Sequence, residues 1–240
     1  MAGDAVDVVL LLPAGASPHT FEPTPAKIRN LVGSDALFLI GHGLDDWAAR
    51  IALSAGVTRA VTVDTGVILR HVARDGEAGT AQRAGIVDPH YWLSIANAKA
   101  IARTVGAEIE RVAPKRKDEL RQRLDMYLAS LDAADAEIRR LLANLPNRRI
   151  ATFHDAFGYF AAAYGLEVVA TFEPFPGKEP SPRFVAGFQR VARAAGVRVL
   201  FSEPQFSVEA LRPIAADLGV ALSVLDPLGG APGREGYVEL

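Results

Sequence analysis

Ile150-Ala151-Thr152-Phe153-His154-Asp155-Ala156-Phe157-Gly158-Tyr159-Phe160 is the stretch that decides the fold. Four apolar or β-branched residues make a short strand, Ile150–Phe153, and a helical run over 155–164 follows almost at once. The pattern repeats downstream. Val168–Phe172 reads as a strand, Ser181-Pro182 as the cap of a helix running to Ala195, and Val197–Phe201 as a strand. A helix from Ser207 to Leu218 then leads to a strand over Ala221–Leu225. Strands alternating with helices of this length imply parallel sheets, and so an α/β fold. In such sheets ligands gather beyond the carboxyl ends of the strands, where His154 and Asp226 fall.

Upstream the alternation is looser. Val6–Leu12 reads as a buried parallel strand, Ala36–Ile40 and Ala60–Val63 as two more, and Asp45–Leu53 as a short helix. Thr24-Pro25 marks a helix start, with Thr as N-cap and Pro at the first helical position. Residues 66–88 form a polar loop, and a helix runs from Ser94 to about Val112. Between the two β/α stretches, Leu120, Leu124, Leu128, Leu131, Ile138, Leu141 and Leu145 recur at helical spacing. They predict one long amphipathic helix over 115–145, up to about 45 Å at 1.5 Å per residue. The expected organisation is therefore an N-terminal β/α lobe over 1–112, a linking backbone helix over 113–146, and a C-terminal β/α lobe over 147–240.

Composition narrows the chemistry. Half of the 240 residues are hydrophobic, enough for two cores, and the formal net charge is −2. That balance leaves no electrostatic footprint for nucleic acid. The chain has no Cys, which removes thiolate metal sites, disulfides and thiol catalysis. The apolar run at 8–12 is far too short to span a membrane and lacks a basic flank, so no signal peptide is read there.

Four residues carry the functional signal: His19, His90, His154 and Asp226 recur at nearly even intervals, each after an apolar segment. Imidazole nitrogen and carboxylate oxygen are the donors that borderline divalent metals favour. Taken singly, each has a bland reading: a histidine at a strand end is usually a hydrogen-bonded loop residue, and Asp226 could simply form the turn before Pro227. Asp155 reads as an N-cap for the following helix more readily than as a ligand neighbour. Glu203, at a strand end, could accept a hydrogen bond from a metal-bound imidazole or merely begin a turn. His42 reads as a turn histidine. His71 shares the 66–88 loop with Asp75 and Glu77, and is either an auxiliary loop ligand or a solvated loop residue.

The chain resembles the metal-specific solute-binding proteins of bacterial zinc and manganese ABC importers. The matching stretches are Leu12-Pro13-Ala14-Gly15-Ala16-Ser17-Pro18-His19-Thr20-Phe21-Glu22-Pro23-Thr24-Pro25, Asp88-Pro89-His90-Tyr91-Trp92-Leu93, and Phe153-His154-Asp155-Ala156-Phe157-Gly158-Tyr159-Phe160. Glu179-Pro180-Ser181, Phe201-Ser202-Glu203-Pro204-Gln205-Phe206-Ser207 and Leu225-Asp226-Pro227-Leu228-Gly229 follow in the family's order. The resemblance implies a helix-spined periplasmic binding protein, with metal ligands His19, His90, His154 and Asp226 in a cleft between the lobes. It implies Zn²⁺ as cargo, with Mn²⁺ or Fe²⁺ as alternatives, and an importer permease as partner. A periplasmic or membrane-anchored extracytoplasmic location follows, since the family includes lipoproteins of cell-adhesion type. In this resemblance manganese-selective members replace the third histidine by a carboxylate; here that position is His154.

The resemblance also implies a first strand–helix unit and a terminal helix that this sequence lacks, although 236–240 reads as a helix opening. An unpaired edge in the first lobe would then leave that lobe weakly stable or favour a dimer that covers the edge. Two other function classes compete. A zinc hydrolase normally keeps three protein ligands and an open water site, and no His-Glu-x-x-His or Gly-x-Ser-x-Gly is present. A siderophore-binding protein would grip its chelate with Arg and aromatic side chains instead of converging imidazoles. The reading favoured is a non-enzymatic metal carrier.

Overall fold

The structure is a computed structural model that describes residues 2–72, 85–173, 177–230 and 232–240. The chain divides into two compact units. The first comprises Met1–Leu11 and Glu22–Asp132, the second Leu12–Phe21 and Ala133–Leu240. His19 therefore belongs to the second unit, although it lies early in the sequence.

The first unit opens with helix α1, Pro25–Arg29, capped as the sequence predicts: the Thr24 hydroxyl accepts from the Lys27 amide. Strands β1, Leu37–Leu39, and β2, Ala60–Thr62, pair in parallel across helix α2, Asp46–Ser54. Leu31, Ala52 and Val57 form the small core beneath them, joined by Leu11, Leu37 and Ile51. Asp45 precedes α2 but does not cap it. Its carboxylate turns back to accept from the Ile40 and Gly41 amides at 2.8 and 2.7 Å, closing the turn that carries His42. His42 itself is in the left-handed region at φ 55°, between two positive-φ glycines, as a turn histidine should be.

The expected strand over 6–12 does not form. Val8 and Leu10 are 72% and 75% exposed, and this segment pairs with no strand among the described residues. Apolar periodicity reports a tendency to extend, but a strand exists only where a neighbour supplies ladder partners. The 66–88 loop is also more ordered at its ends than expected. Strands β3, His71–Val72, and β4, Ile86–Val87, pair antiparallel, while Asp75 and Glu77 lie outside the described residues. Helix α3, Ile95–Val112, follows Ser94 as read from the sequence. It is held to the β2 end by Glu108, whose carboxylate accepts from Arg59 Nε and Nη2, both at 3.0 Å.

Helix α4, Lys117–Leu142, is shorter than predicted because Pro114–Arg116 form a separate 3-10 turn ahead of it. At 26 residues it spans about 39 Å. Gly106 on α3 lets the two helices approach: a Cβ there would stand 2.9 Å from Leu124 Cδ2. Of the leucine stripe only Leu120 and Leu131 are buried, and Leu141 is exposed. The division between the units falls inside this helix, at Asp132 and Ala133.

In the second unit, strands β5 (Arg149–His154), β6 (Glu167–Glu173), β7 (Val199–Ser202) and β8 (Ala221–Val224) form one parallel sheet in the order β6-β5-β7-β8. Helix α5, Gly158–Tyr164, helix α6, Pro182–Ala194, and helix α7, Arg212–Leu218, connect them. Ala151, Phe153, Phe172, Phe188, Leu200 and Leu211 belong to its core. Ser181 caps α6, accepting from the Phe184 amide. Three expected boundaries move. Helix α5 begins at Gly158, so Asp155 is an exposed turn residue and not an N-cap. The predicted 207–218 helix breaks into a 3-10 turn, Val208–Ala210, and α7, since Pro213 cannot donate an amide proton across the junction. Residues 236–240 form a turn instead of opening a helix. No helix among the described residues is long and apolar enough to cross a membrane.

Candidate metal centre

The parallel sheet of the second unit lines up its acidic and imidazole groups at the strand carboxyl ends. His154 ends β5, Glu173 ends β6, Glu203 follows β7, and Asp226 comes two residues after β8. His154 and Glu173 are also register partners across the β5–β6 pair. All four are at least nine-tenths buried.

His154 is oriented by Glu203. The carboxylate lies 2.7 Å from His154 Nδ1, and its Oε1 accepts from the His154 amide at 3.1 Å. An ionised carboxylate only accepts, so Nδ1 carries the proton and Nε2 keeps its lone pair for a metal. The Phe206 ring packs edge-on against the imidazole, 5.6 Å between centroids, and fixes its plane further.

His19 reaches the same neighbourhood on residues 12–21. Two tight turns shape that segment: Ala16 donates to the Pro13 carbonyl, and Thr20 to that of Ser17. Gly230 lets the segment lie close, because a Cβ there would meet Ala14 Cβ at 3.2 Å. The His19 and His154 rings meet edge to face at 5.5 Å.

Asp226 is held differently. Its Oδ1 accepts from Gln205 Nε2 at 3.0 Å and from the Leu228 and Gly229 amides, both at 3.1 Å. Its Oδ2 lies 3.3 Å from Arg234 Nη1. Burial alone would raise its pKa, but the hydrogen bonds from Gln205, the two amides and Arg234 outweigh that and hold it below the ordinary value. Strand β7 stands between the strands that lead to His154 and Asp226.

His90 belongs to the first unit and is prepared in the same way as His154. Asp88 Oδ1 lies 2.8 Å from His90 Nδ1 and accepts from the His90 amide at 3.0 Å. Both residues are buried. The adjoining Tyr91 is fully buried and donates its hydroxyl to the Ile40 carbonyl at 2.7 Å, which anchors the turn to β1. His71, considered as an auxiliary ligand, is exposed on β3 opposite Val87.

Sequence reasoning overlooked Asp88, Gln205, Arg234 and Glu173. Glu173 was the easiest to find, since it ends an apolar strand as His154 does. Burial pushes its carboxyl up, although hydrogen bonds from the Gly177 and Lys178 amides act against this, and its Oε2 has no hydrogen-bond partner among the described residues. Nothing in the sequence marks Arg234.

Known proteins share the fold and much of the sequence of this chain. The chain is 28% identical over 248 residues to the high-affinity zinc uptake system protein ZnuA of Bacillus subtilis, covering 99% of this chain and 78% of that protein. It is 24% identical to the zinc-binding protein AdcA of Streptococcus pyogenes, covering 98% of this chain but 48% of AdcA, so it spans about half that relative's length. Among solved structures, the Pseudomonas aeruginosa solute-binding protein FpvC in complex with Mn²⁺ superposes with a TM-score of 0.82 at 29% identity, covering 99% of this chain and 87% of that one. The model of the family described as ZnuA, zinc-uptake complex component A, periplasmic, matches residues 1–240, and the chain belongs to that family.

Proposed function

We propose that the protein captures a divalent transition metal, Zn²⁺ before Mn²⁺, through His19, His154 and Asp226 of the second unit together with His90 of the first. In this reading it is a carrier and not an enzyme: it delivers the ion to the membrane permease of an ABC importer. The observation that carries the proposal is the common preparation of two imidazoles. Both His90 and His154 have a buried carboxylate on Nδ1, which leaves Nε2 as the donor and raises its basicity. A histidine that merely packs in a core needs no such partner on a fixed side. Membership of a zinc-uptake family supports the same conclusion, and the Mn²⁺ complex of FpvC keeps manganese as the alternative cargo.

Three imidazoles with one carboxylate favour zinc, because manganese prefers a donor set richer in oxygen. Four protein ligands leave no open position for an activated water, which argues against hydrolysis. The test is a competition titration of demetallated protein against a chromophoric zinc chelator. One equivalent of Zn²⁺ should bind, and alanine at His19, His90, His154 or Asp226 should cost more than the tenfold to about hundredfold typical of outer-shell changes. His154→Glu should move the ratio of the zinc and manganese dissociation constants towards manganese. Bound zinc should raise folding stability by roughly 2.7 kcal/mol at a hundredfold excess over the dissociation constant. Affinity unchanged across the four alanine variants would reject the ligand set.

A further inference from the structure

Asp226 presents its two oxygens to very different partners. Oδ1 is saturated by three neutral donors, two of them backbone amides that cannot leave: Leu228 and Gly229 at 3.1 Å and Gln205 Nε2 at 3.0 Å. Among the described residues Oδ2 faces one cation, Arg234 Nη1, at 3.3 Å. The Asp226 side chain is 2% exposed and that of Arg234 is 39% exposed. The carboxylate is therefore fixed, while the guanidinium sits on a flexible stem with a route to solvent.

The backbone beneath Arg234 is fixed in turn. The Gly230 amide donates to the Arg234 carbonyl at 2.6 Å, and a Cβ on Gly229, at φ 69°, would stand 2.9 Å from that oxygen. These contacts hold Arg234 where its guanidinium meets one carboxylate oxygen. It is the oxygen that Asp226 would offer a metal, since the other has no capacity left.

We propose that Arg234 is a built-in competitor for the cation at Asp226: its guanidinium holds the oxygen an arriving metal must take, and so sets how tightly that metal is retained. The inference rests on the metal-carrier reading above. Two positive groups cannot share one partly buried oxygen without strong repulsion, so metal entry expels Arg234 towards solvent. The lost ion pair subtracts from the metal's affinity. When the metal leaves, Arg234 returns and spares the fold a buried, unpaired carboxylate. A carrier must release its cargo as well as bind it, and an internal counter-cation lowers the barrier to unloading.

The experiment uses the full demetallated chain with Zn²⁺ as the probe, comparing wild type, Arg234→Gln, Arg234→Lys and Asp226→Ala by chelator competition and stopped-flow release. Breaking a charge-assisted bond to a partly exposed arginine is worth about tenfold in a dissociation constant. Arg234→Gln should therefore bind Zn²⁺ about tenfold more tightly and release it more slowly, while Arg234→Lys keeps the charge and stays near wild type. If Arg234 only props the loop, its removal weakens binding and lowers the metal-free melting temperature, which overturns the proposal. Arg234→Gln within about twofold of wild type, with Asp226→Ala strongly impaired, rejects the competitor role and leaves the carrier reading standing. Absence of zinc binding in wild type removes both.

Discussion

Glu203→Gln isolates the electrostatic contribution of one buried carboxylate, because it changes a charge and deletes no heavy atom. Glu203 is 2% exposed and makes two contacts with His154, one to the backbone amide at 3.1 Å and one to Nδ1 at 2.7 Å. The amide bond is the same before and after metal binding, so it cancels from the affinity. The Nδ1 bond does not cancel. Coordination at Nε2 withdraws electron density from the ring, makes Nδ1–H a stronger donor, and is favoured by a charged acceptor. A hydrogen bond to a charged group is worth about 1.5–3 kcal/mol, and a neutral one about 0.5–1.5 kcal/mol. The difference, about 1–2 kcal/mol, predicts a five- to thirtyfold loss of zinc affinity. Metal-free stability should hardly move, since glutamine still accepts from the ring and a buried charge has been removed. The assay is a chelator competition for Zn²⁺ alongside thermal melts with and without metal. A dissociation constant within about twofold of wild type would refute the argument that Glu203 tunes His154 as a ligand.

Leu200 is fully buried in the sheet core of the second unit, so Leu200→Ala should cost about 2–5 kcal/mol of stability in urea denaturation; a loss under about 1 kcal/mol would mean the core relaxes around the gap. Glu108 supplies a pH test in the first unit. The Arg59 hydrogen bonds lead in holding its carboxyl below the ordinary 4.5, against the effect of burial, with Arg111 adding to them. A depressed folded-state pKa contributes stability that is present above 4.5 and lost as pH falls through the lower folded value. Glu108→Gln should therefore be less stable than wild type at neutral pH, with the gap closing in acid. A gap that persists undiminished at the lowest pH where both proteins remain folded would assign the effect to packing instead.

The features legible in one dimension are local and periodic. Ser181-Pro182 and Thr24-Pro25 announced their helices because capping needs only a side-chain oxygen a few residues from an orphan amide. The alternation from 150 onward announced a parallel α/β sheet because two-residue and 3.6-residue periods are visible in one dimension. His154 and Asp226 could be placed at the carboxyl end of the sheet because each follows an apolar strand. The remaining features emerge on folding, because they depend on partners far apart in the chain. Val6–Leu12 has a strand's composition, yet strands are made by neighbours, and among the described residues it has none. His19 precedes the whole first sheet in sequence but packs beside His154 in the second unit. Glu203 could be guessed as a hydrogen-bond partner but not assigned to His154, because β5 and β7 become neighbours only when the sheet assembles. Arg234 was invisible for the same reason. Its meaning comes from a loop that folds back on Asp226, and hydrogen-bond geometry of that kind leaves no periodic trace in the sequence.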